Sequence, residues 1–329
     1  MSVSRRALAS AQRFYIGGRW VAPAEDPASI RGVINPATES PIPSASIALG
    51  SAADVDSAVS AARSASSGAW GRVGKEERLR LLKKLADIYK TGLGEMAATI
   101  SAEMGAPITF ARQQQALAGA GELSSAARIL ERFAFESPLS EHEGGLPADR
   151  ITHVPIGVCA LITPWNWPMN QVALKVAPAL AAGCSVVLKP SEEAPLSSVL
   201  FAQMVHEAGF PAGAFNLVNG TGADAGAYLA AHPSVDMVSL TGSTRAGIAV
   251  SQAAAGGIKR VSLELGGKGA NLIFKDAPGG LRAAVRRGAD GAARRGAAAG
   301  GAAARGRPRR TRRSAAATSG GSTRRSVPR

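Results

Sequence analysis

Four short segments of this 329-residue chain hold residue types that can do chemistry. The first is Thr163-Pro164-Trp165-Asn166-Trp167-Pro168. Two prolines and two tryptophans stiffen this turn and fix the Asn166 amide, whose N–H can stabilise an oxyanion; an Asn that only caps a turn fits the same letters. The second is Lys189-Pro190-Ser191-Glu192, where the lysine suits a phosphate or ribose and equally a surface loop. The third runs from Thr241-Gly242-Ser243-Thr244 to Gly247. Its bare N–H groups and hydroxyls open a helix, and either bind an anion or form an N-terminal cap. The fourth is Glu264-Leu265-Gly266-Gly267-Lys268, a carboxylate beside a Gly-Gly that admits close backbone approach. That suits a general base, or a solvated surface charge. A fifth stretch, Gly220-Thr221-Gly222 to Gly226, approaches a glycine-rich phosphate loop with the wrong spacing.

Each of the four follows a short apolar run: Val158–Ile162, Ser185–Leu188, Met237–Leu240 and Arg260–Leu263. A fifth run, Ala214–Val218, lies among them, and helical patterns over 169–182, 197–208, 224–231 and 246–255 separate them. Short apolar strands alternating with helices predict an α/β fold with a doubly wound parallel sheet. Such sheets bind ligands at the carboxyl ends of their strands, where these segments fall. Upstream, Phe14–Val21 reads as two strands around Gly17-Gly18, and Ile34–Thr38 as a turn. Ser51 can cap a helix over 55–64, and Lys75–Thr91 is amphipathic, with Leu79, Leu81, Leu82, Leu85, Ala86 and Ile88 between charges. Helical patterns continue from Glu95 to about Phe135, and residues 137–149 form a polar excursion.

The net charge of +14 is not a property of the body. Residues 279–329 hold fourteen Arg and one acid, Asp290, so +13 of it sits there. With fourteen Ala and ten Gly, no Lys and no aromatic residue, this tail has no means of building a core and is expected to be disordered. Two cysteines, Cys159 and Cys184, exclude a disulfide framework, and none of the four His lies at zinc-ligand spacing from them. No metal site is therefore expected. The longest charge-free apolar stretch, Val154–Leu174, contains three prolines and is no membrane helix. The opening Ser4-Arg5-Arg6-Ala7 is Arg/Ser/Ala-rich like a transit peptide, yet strand-like sequence begins by Phe14. A cytoplasmic protein is the default.

The order and spacing of the T-P-W-N-W-P, K-P-S-E, T-G-S-T-x-x-G and L-E-L-G-G-K segments resemble the aldehyde dehydrogenase superfamily, from about Phe14 to Asp276. Gly269 stands where that family more often has Ser or Asn. The resemblance implies a Rossmann-like dinucleotide domain and oxidation of an aldehyde to a carboxylate with NAD(P)+. It implies that Asn166 holds the oxyanion and Glu264 activates the hydrolytic water. For the cofactor it implies Ile162, Trp165, Lys189, Glu192, Gly222, Gly242, Ser243 and Gly247, with Lys189 and Glu192 at the adenosine ribose. A Glu there accepts ribose hydroxyls and repels a 2′-phosphate, which favours NAD over NADP. The partners implied are a small-molecule aldehyde and, as in the family, further copies of the chain. The implied organisation is residues 1–137, the N-terminal part of the dinucleotide-binding domain; 138–154, an oligomerisation excursion; 155–263, the dinucleotide-binding core; 264–278, the start of the catalytic domain; and 279–329, the basic tail.

One departure is large. The family's nucleophilic cysteine follows some thirty-odd residues after the motif Glu, and here that region reads Ala292-Ala293-Arg294-Arg295-Gly296. No cysteine follows Cys184, and Cys159 and Cys184 match structural positions. The expectation is a family member with its catalytic domain largely missing, replaced by out-of-frame sequence, and inactive as it stands. The alternative is a non-catalytic dinucleotide-fold protein whose Arg-rich tail binds nucleic acid through phosphates. The absence of interleaved aromatics disfavours it.

Overall fold

The computed structural model describes residues 3–25, 28–138, 149–267, 270 and 272–286. Its centre is a seven-stranded sheet in the order β11-β10-β7-β8-β9-β1-β2. Five strands are mutually parallel: β7 (Val158–Ile162), β8 (Ser185–Lys189), β9 (Phe215–Leu217), β10 (Met237–Thr241) and β11 (Arg260–Glu264). The predicted Gly-Gly hairpin is present as β1 (Phe14–Ile16) and β2 (Arg19–Val21), and it extends this sheet, antiparallel, on the β9 side. The sheet is thus mixed rather than wholly parallel.

Alternation along the central strands builds two cores. Cys159 and Leu161 of β7, with Val186 and Leu188 of β8, join one cluster, while Val158, Ala160, Ile162 and Val187 join the other. The first lies under α3 (Lys75–Thr91), α6 (Ala116–Arg132), α7 (Pro168–Ala181) and α8 (Leu196–Ala208). The second lies under α2 (Ala52–Ser67), α9 (Ala227–Ala231) and α10 (Thr244–Ala255). Both faces of β7 and β8 are completely buried, which explains their unbroken apolar runs. At roughly 25 cal/mol per Å2 of apolar area, these two layers are the main source of stability.

Four features differ from the sequence reading. The Arg/Ser/Ala-rich opening is a helix, α1 (Arg5–Ser10), capped by Ser4 Oγ, which accepts the Ala7 N–H at 3.1 Å, and its Ala7 is fully buried. The turn at 34–38 belongs to a hairpin, β3 (Ile30–Asn35) and β4 (Ser40–Ala48), whose mixed composition hid its strands. The long helical stretch after Glu95 is broken into α4 (Leu93–Met104) and α5 (Ile108–Phe110), and a π-turn over Ala111–Gln115 leads from α5 into α6. Gly105 ends α4 in the left-handed region. Finally, where composition reads as tail, residues 280–286 are helical, with Leu281 and Val285 exposed; the rest of the tail lies outside the described residues. The polar excursion leaves and returns through the ribbon β5 (Glu136–Pro138) and β6 (Arg150–Thr152), and residues 139–148 between them also lie outside the description. Among the described residues, no helix is long and apolar enough to cross a membrane.

Glu103 ties α4 to α8. It is buried, and its carboxylate accepts the N–H groups of Leu196 (2.5 Å) and Ser197 (3.0 Å) at the α8 N-terminus. Burial pushes its carboxyl up to about 7, against the pull of those hydrogen bonds. Between about pH 4.5 and 7 the folded chain therefore keeps a proton that the unfolded chain releases, and this group's stabilisation falls as pH rises through that window. Urea melts across that range should show Glu103→Gln losing this part of the slope. Glu103→Ala should cost about 1–2 kcal/mol, since it orphans two buried N–H groups. An unchanged slope in Glu103→Gln would show the carboxyl ionised throughout.

Candidate active site and dinucleotide cavity

The carboxyl ends of β7, β8 and β10 bring most of the expected residues to one place. On the α9–α10 face a cavity of about 570 Å3 is lined by Ile162, Gly222, Gly226, Leu240, Ser243 and Val250, among others. Ile162 is the last residue of β7. Ser243 is the N-cap of α10, its Oγ accepting the Ala246 N–H at 3.2 Å. Gly222 opens a π-turn that leads into α9.

Lys189 ends β8 on the same face. It is 3% exposed and pairs with Glu192 at 3.1 Å. The Gly222 N–H donates to the other oxygen of Glu192 at 3.4 Å, so the pair is anchored to the cavity lining. A side chain on Gly226 would lie 3.5 Å from Lys189 Cδ, so little but that glycine separates the lysine stem from the cavity. Burial pushes the Lys189 amine down, and the Glu192 carboxylate partly restores it. The same Lys189 charge, with the Gly222 N–H, overcomes the burial of Glu192 and holds its carboxyl below the usual range.

Three of the expected cofactor residues stand apart from this lining. Trp165 is half-buried in the turn after β7. The Gly242 N–H donates to the Glu264 carbonyl at 3.0 Å, holding the ends of β10 and β11 together. Gly247 is buried where any Cβ would come within 2.7 Å of Leu265, so its small size serves the packing of α10 on the segment after β11.

Asn166 sits just before α7. Gln115 Nε2 donates to its main-chain oxygen at 3.2 Å, and its own Oδ1 is buried without a partner. Glu264 ends β11, opposite Thr241 of β10, and its side chain belongs to the other face of the sheet. There a cavity of about 530 Å3 also exposes Lys175, Ser239, Ser262 and Arg260.

Sequence reasoning missed two residues here. Lys175 is buried in the middle of α7 and donates to Ser239 Oγ at 2.8 Å. Burial lowers its amine, and Glu264 across the cavity partly offsets that. It was legible as the one charge in the apolar helix over 168–181. Gln115 was not, because a π-turn rather than a regular helix aims it at Asn166.

The aldehyde dehydrogenase family pattern matches residues 20–296. The chain belongs to the aldehyde dehydrogenase family. The match runs past Asp276, where the sequence resemblance had been set to end, into the Arg-rich segment. A 3-succinoylsemialdehyde-pyridine dehydrogenase from a Pseudomonas species is 52% identical over 278 residues, covering 84% of this chain and 55% of that protein. The betaine aldehyde dehydrogenase of Bacillus subtilis is 36% identical, with 81% and 53% covered. Among solved structures, a cysteine-to-alanine mutant of aldehyde dehydrogenase C from Pseudomonas syringae, in complex with NAD+ and octanal, superposes with a TM-score of 0.77 at 49% identity, covering 84% of this chain and 54% of that one. The NAD+ complex of a Bacillus cereus aldehyde dehydrogenase gives 0.79 at 33% identity, with 87% and 57% covered. This family member spans about half the length of the curated relatives it matches.

Among the described residues, Lys175 has no counter-charge in hydrogen-bond reach, only the Ser239 hydroxyl. Lys175→Met should therefore raise stability by about 0.5–1 kcal/mol at neutral pH, as expected where a charge is kept for something other than stability. Denaturant midpoints of the two proteins measure it. A loss of more than about 1 kcal/mol would show that the ammonium is part of the fold's support.

Proposed function

We propose that the chain binds NAD+ in the α9–α10 cavity and carries, in Asn166 and Glu264, the oxyanion donor and the general base of an aldehyde-oxidising site. One observation carries the reading: a buried Lys189 paired with a half-buried Glu192, fastened by the Gly222 N–H to a dinucleotide-sized cavity, at the carboxyl ends of parallel strands. The residues fit the group. Ile162, Ala223, Ala227, Leu240, Ala249 and Val250 form an apolar slot for an adenine ring. The Lys189 ammonium and Glu192 carboxylate suit ribose hydroxyls. The N-terminus of α10 at Ser243 suits a pyrophosphate. The negative charge of Glu192 opposes a 2′-phosphate, so NAD+ is preferred over NADP+. NAD+ bound there would supply the hydride acceptor.

On the chemical side, the turn over 163–168 presents the Asn166 amide, and Gln115 holds that turn by its main-chain oxygen. An amide fixed in this way stabilises negative charge on a carbonyl oxygen without reorganising. Glu264 can take a proton from water, and Lys175 lines the same cavity. What is missing is the attacking thiolate. Cys159 and Cys184 are buried at the amino ends of β7 and β8, away from the carboxyl ends that bear Asn166 and Glu264, and no cysteine follows Cys184. Without a nucleophile, Asn166 and Glu264 have no intermediate to act on, so the chain is proposed to bind cofactor and not to turn over.

Two measurements test this. Calorimetric titration should show NAD+ binding that weakens roughly ten- to a hundredfold in Lys189→Met, since a charge-assisted hydrogen bond contributes about 1.5–3 kcal/mol. The margin over NADP+ should narrow in Glu192→Gln. Absence of NAD+ binding, or equal binding by Lys189→Met, would overturn the cavity assignment. An NADH absorbance assay with several aldehydes should show no turnover. Turnover that Glu264→Gln abolishes would show that the chain is a working enzyme.

A further inference from the structure

The chain's only two cysteines converge on one spot. Cys159 points from β7 to the α7 side of the sheet, as Leu161 does. In the β7–β8 register it opposes Val186, and Cys184 lies two residues before Val186, on the same face. Cys184 is outside the ladder, in the turn between α7 and β8, where Gly183 takes the left-handed conformation (φ +87°). The turn is held by the Cys184 N–H donating to Ala179 O and by Trp70 Nε1 donating to Cys184 O, both at 2.9 Å. Both thiols are buried, yet both line the cavity of about 530 Å3 on this face, which has room for small oxidants.

Their surroundings are unequal. The Cys159 thiol, the backbone N–H groups of Ile156 and Gly157 and the Arg78 guanidinium act on the Cys184 sulfur. These donors outweigh burial and lower the Cys184 thiol, whereas Cys159, the donor in the pair, is raised. Cys184 is thus the more acidic of the two thiols, which suits it to attack and Cys159 to resolve.

We propose that Cys184 and Cys159 form a peroxide-sensitive dithiol, with Cys184 attacking and Cys159 resolving. The Cys184 thiolate attacks one oxygen of hydrogen peroxide, the O–O bond breaks, and a sulfenic acid and hydroxide form. The Cys159 sulfur then attacks the Cys184 sulfur, the S–O bond breaks, and a disulfide forms while hydroxide takes up the Cys159 proton as water. Two thiols and one peroxide become one disulfide and two waters. With strands about 4.8 Å apart and a rise of about 3.3 Å per residue, diagonal positions of a parallel pair lie about 8 Å apart at Cα, whereas disulfides usually span no more than about 6.8 Å. The bridge therefore requires the Cys184 turn to shift by roughly 1 Å, which costs no ladder hydrogen bond because Cys184 is outside β8. A bridge closed under such strain is readily reduced again, so the site cycles.

The test uses the full reduced chain. After brief treatment with hydrogen peroxide it is denatured, alkylated with N-ethylmaleimide and weighed intact, and its peptides are mapped. The expected product is two hydrogens lighter, takes up no maleimide, and yields a linked peptide pair containing positions 159 and 184; glutathione restores two alkylatable thiols. In Cys159→Ala, Cys184 should stall as a sulfenic acid that dimedone captures, while in Cys184→Ala the remaining Cys159 should stay unmodified. Should either variant fail to fold, the wild-type chain in urea serves instead, and there bridging should slow at least severalfold. Two alkylatable thiols after peroxide, linkage only between chains, or equal rates folded and unfolded would overturn the proposal.

Discussion

The parallel ladder β10-β7-β8 is the constraint on which everything else rests. Its alternating side chains are buried on both faces, so a single register decides which residues enter which core. A slip of one residue would exchange every side chain between the layers. Ile162 would leave the α9–α10 cavity and Cys159 would leave the α7 side. The same ladder ends β7, β8 and β10 at one level, so that Thr163, Pro190 and Gly242 begin their loops side by side. The chemistry of the site is a consequence of where those strands stop.

That ladder was legible because burial on both faces demands continuous apolar runs, and the five parallel strands lie within a residue or so of where the hydrophobic runs put them. The helices between them were legible for the related reason that α7 and α8 are mostly apolar and bury most of their residues. What was not legible lacked a period. The β3–β4 hairpin mixes exposed Ile30 and Ile34 with buried Val33 and Ile47, and carries a register shift between Gly32 and Ile34. The α1 helix is only six residues long and owes its place to packing on α8, not to propensity. The π-turn that directs Gln115 has no recognised sequence signal at all.

Within the site, the motifs identified which residues matter better than how they divide. Read as a string, Lys189, Glu192, Ser243, Glu264 and Asn166 all follow the carboxyl ends of strands. In three dimensions the sheet separates them. The Lys189–Glu192 pair and Ser243 belong to the α9–α10 face, and Glu264 shares the opposite cavity with Lys175 and Ser239. The period of two that places Val187 and Leu188 in different cores also places Lys189 and Cys159 on different faces, so this partition follows from the strand pattern once the register is known.

The strand bearing Glu264 is the least supported of the five. β7 and β8 are buried throughout, whereas every residue of β11 is half-buried or exposed, and β11 is the sheet's outer strand among the described residues. Val261 and Leu265 are partly uncovered, and Leu272 and Phe274 beyond them are exposed by 78% and 72%. An uncovered parallel edge flanked by apolar side chains invites pairing with another chain. What holds Glu264 to the rest of the molecule is its β10 ladder, the Gly242 N–H on its carbonyl and the field of Lys175. The α9–α10 cavity, by contrast, is lined by residues of β7, α9, β10 and α10, and it leans on Lys189 at the end of β8; none of these belongs to the edge strand. The two halves of the site thus differ in how far they depend on β11. Loosening β11 would disturb the setting of the candidate base first and leave the walls of the α9–α10 cavity standing.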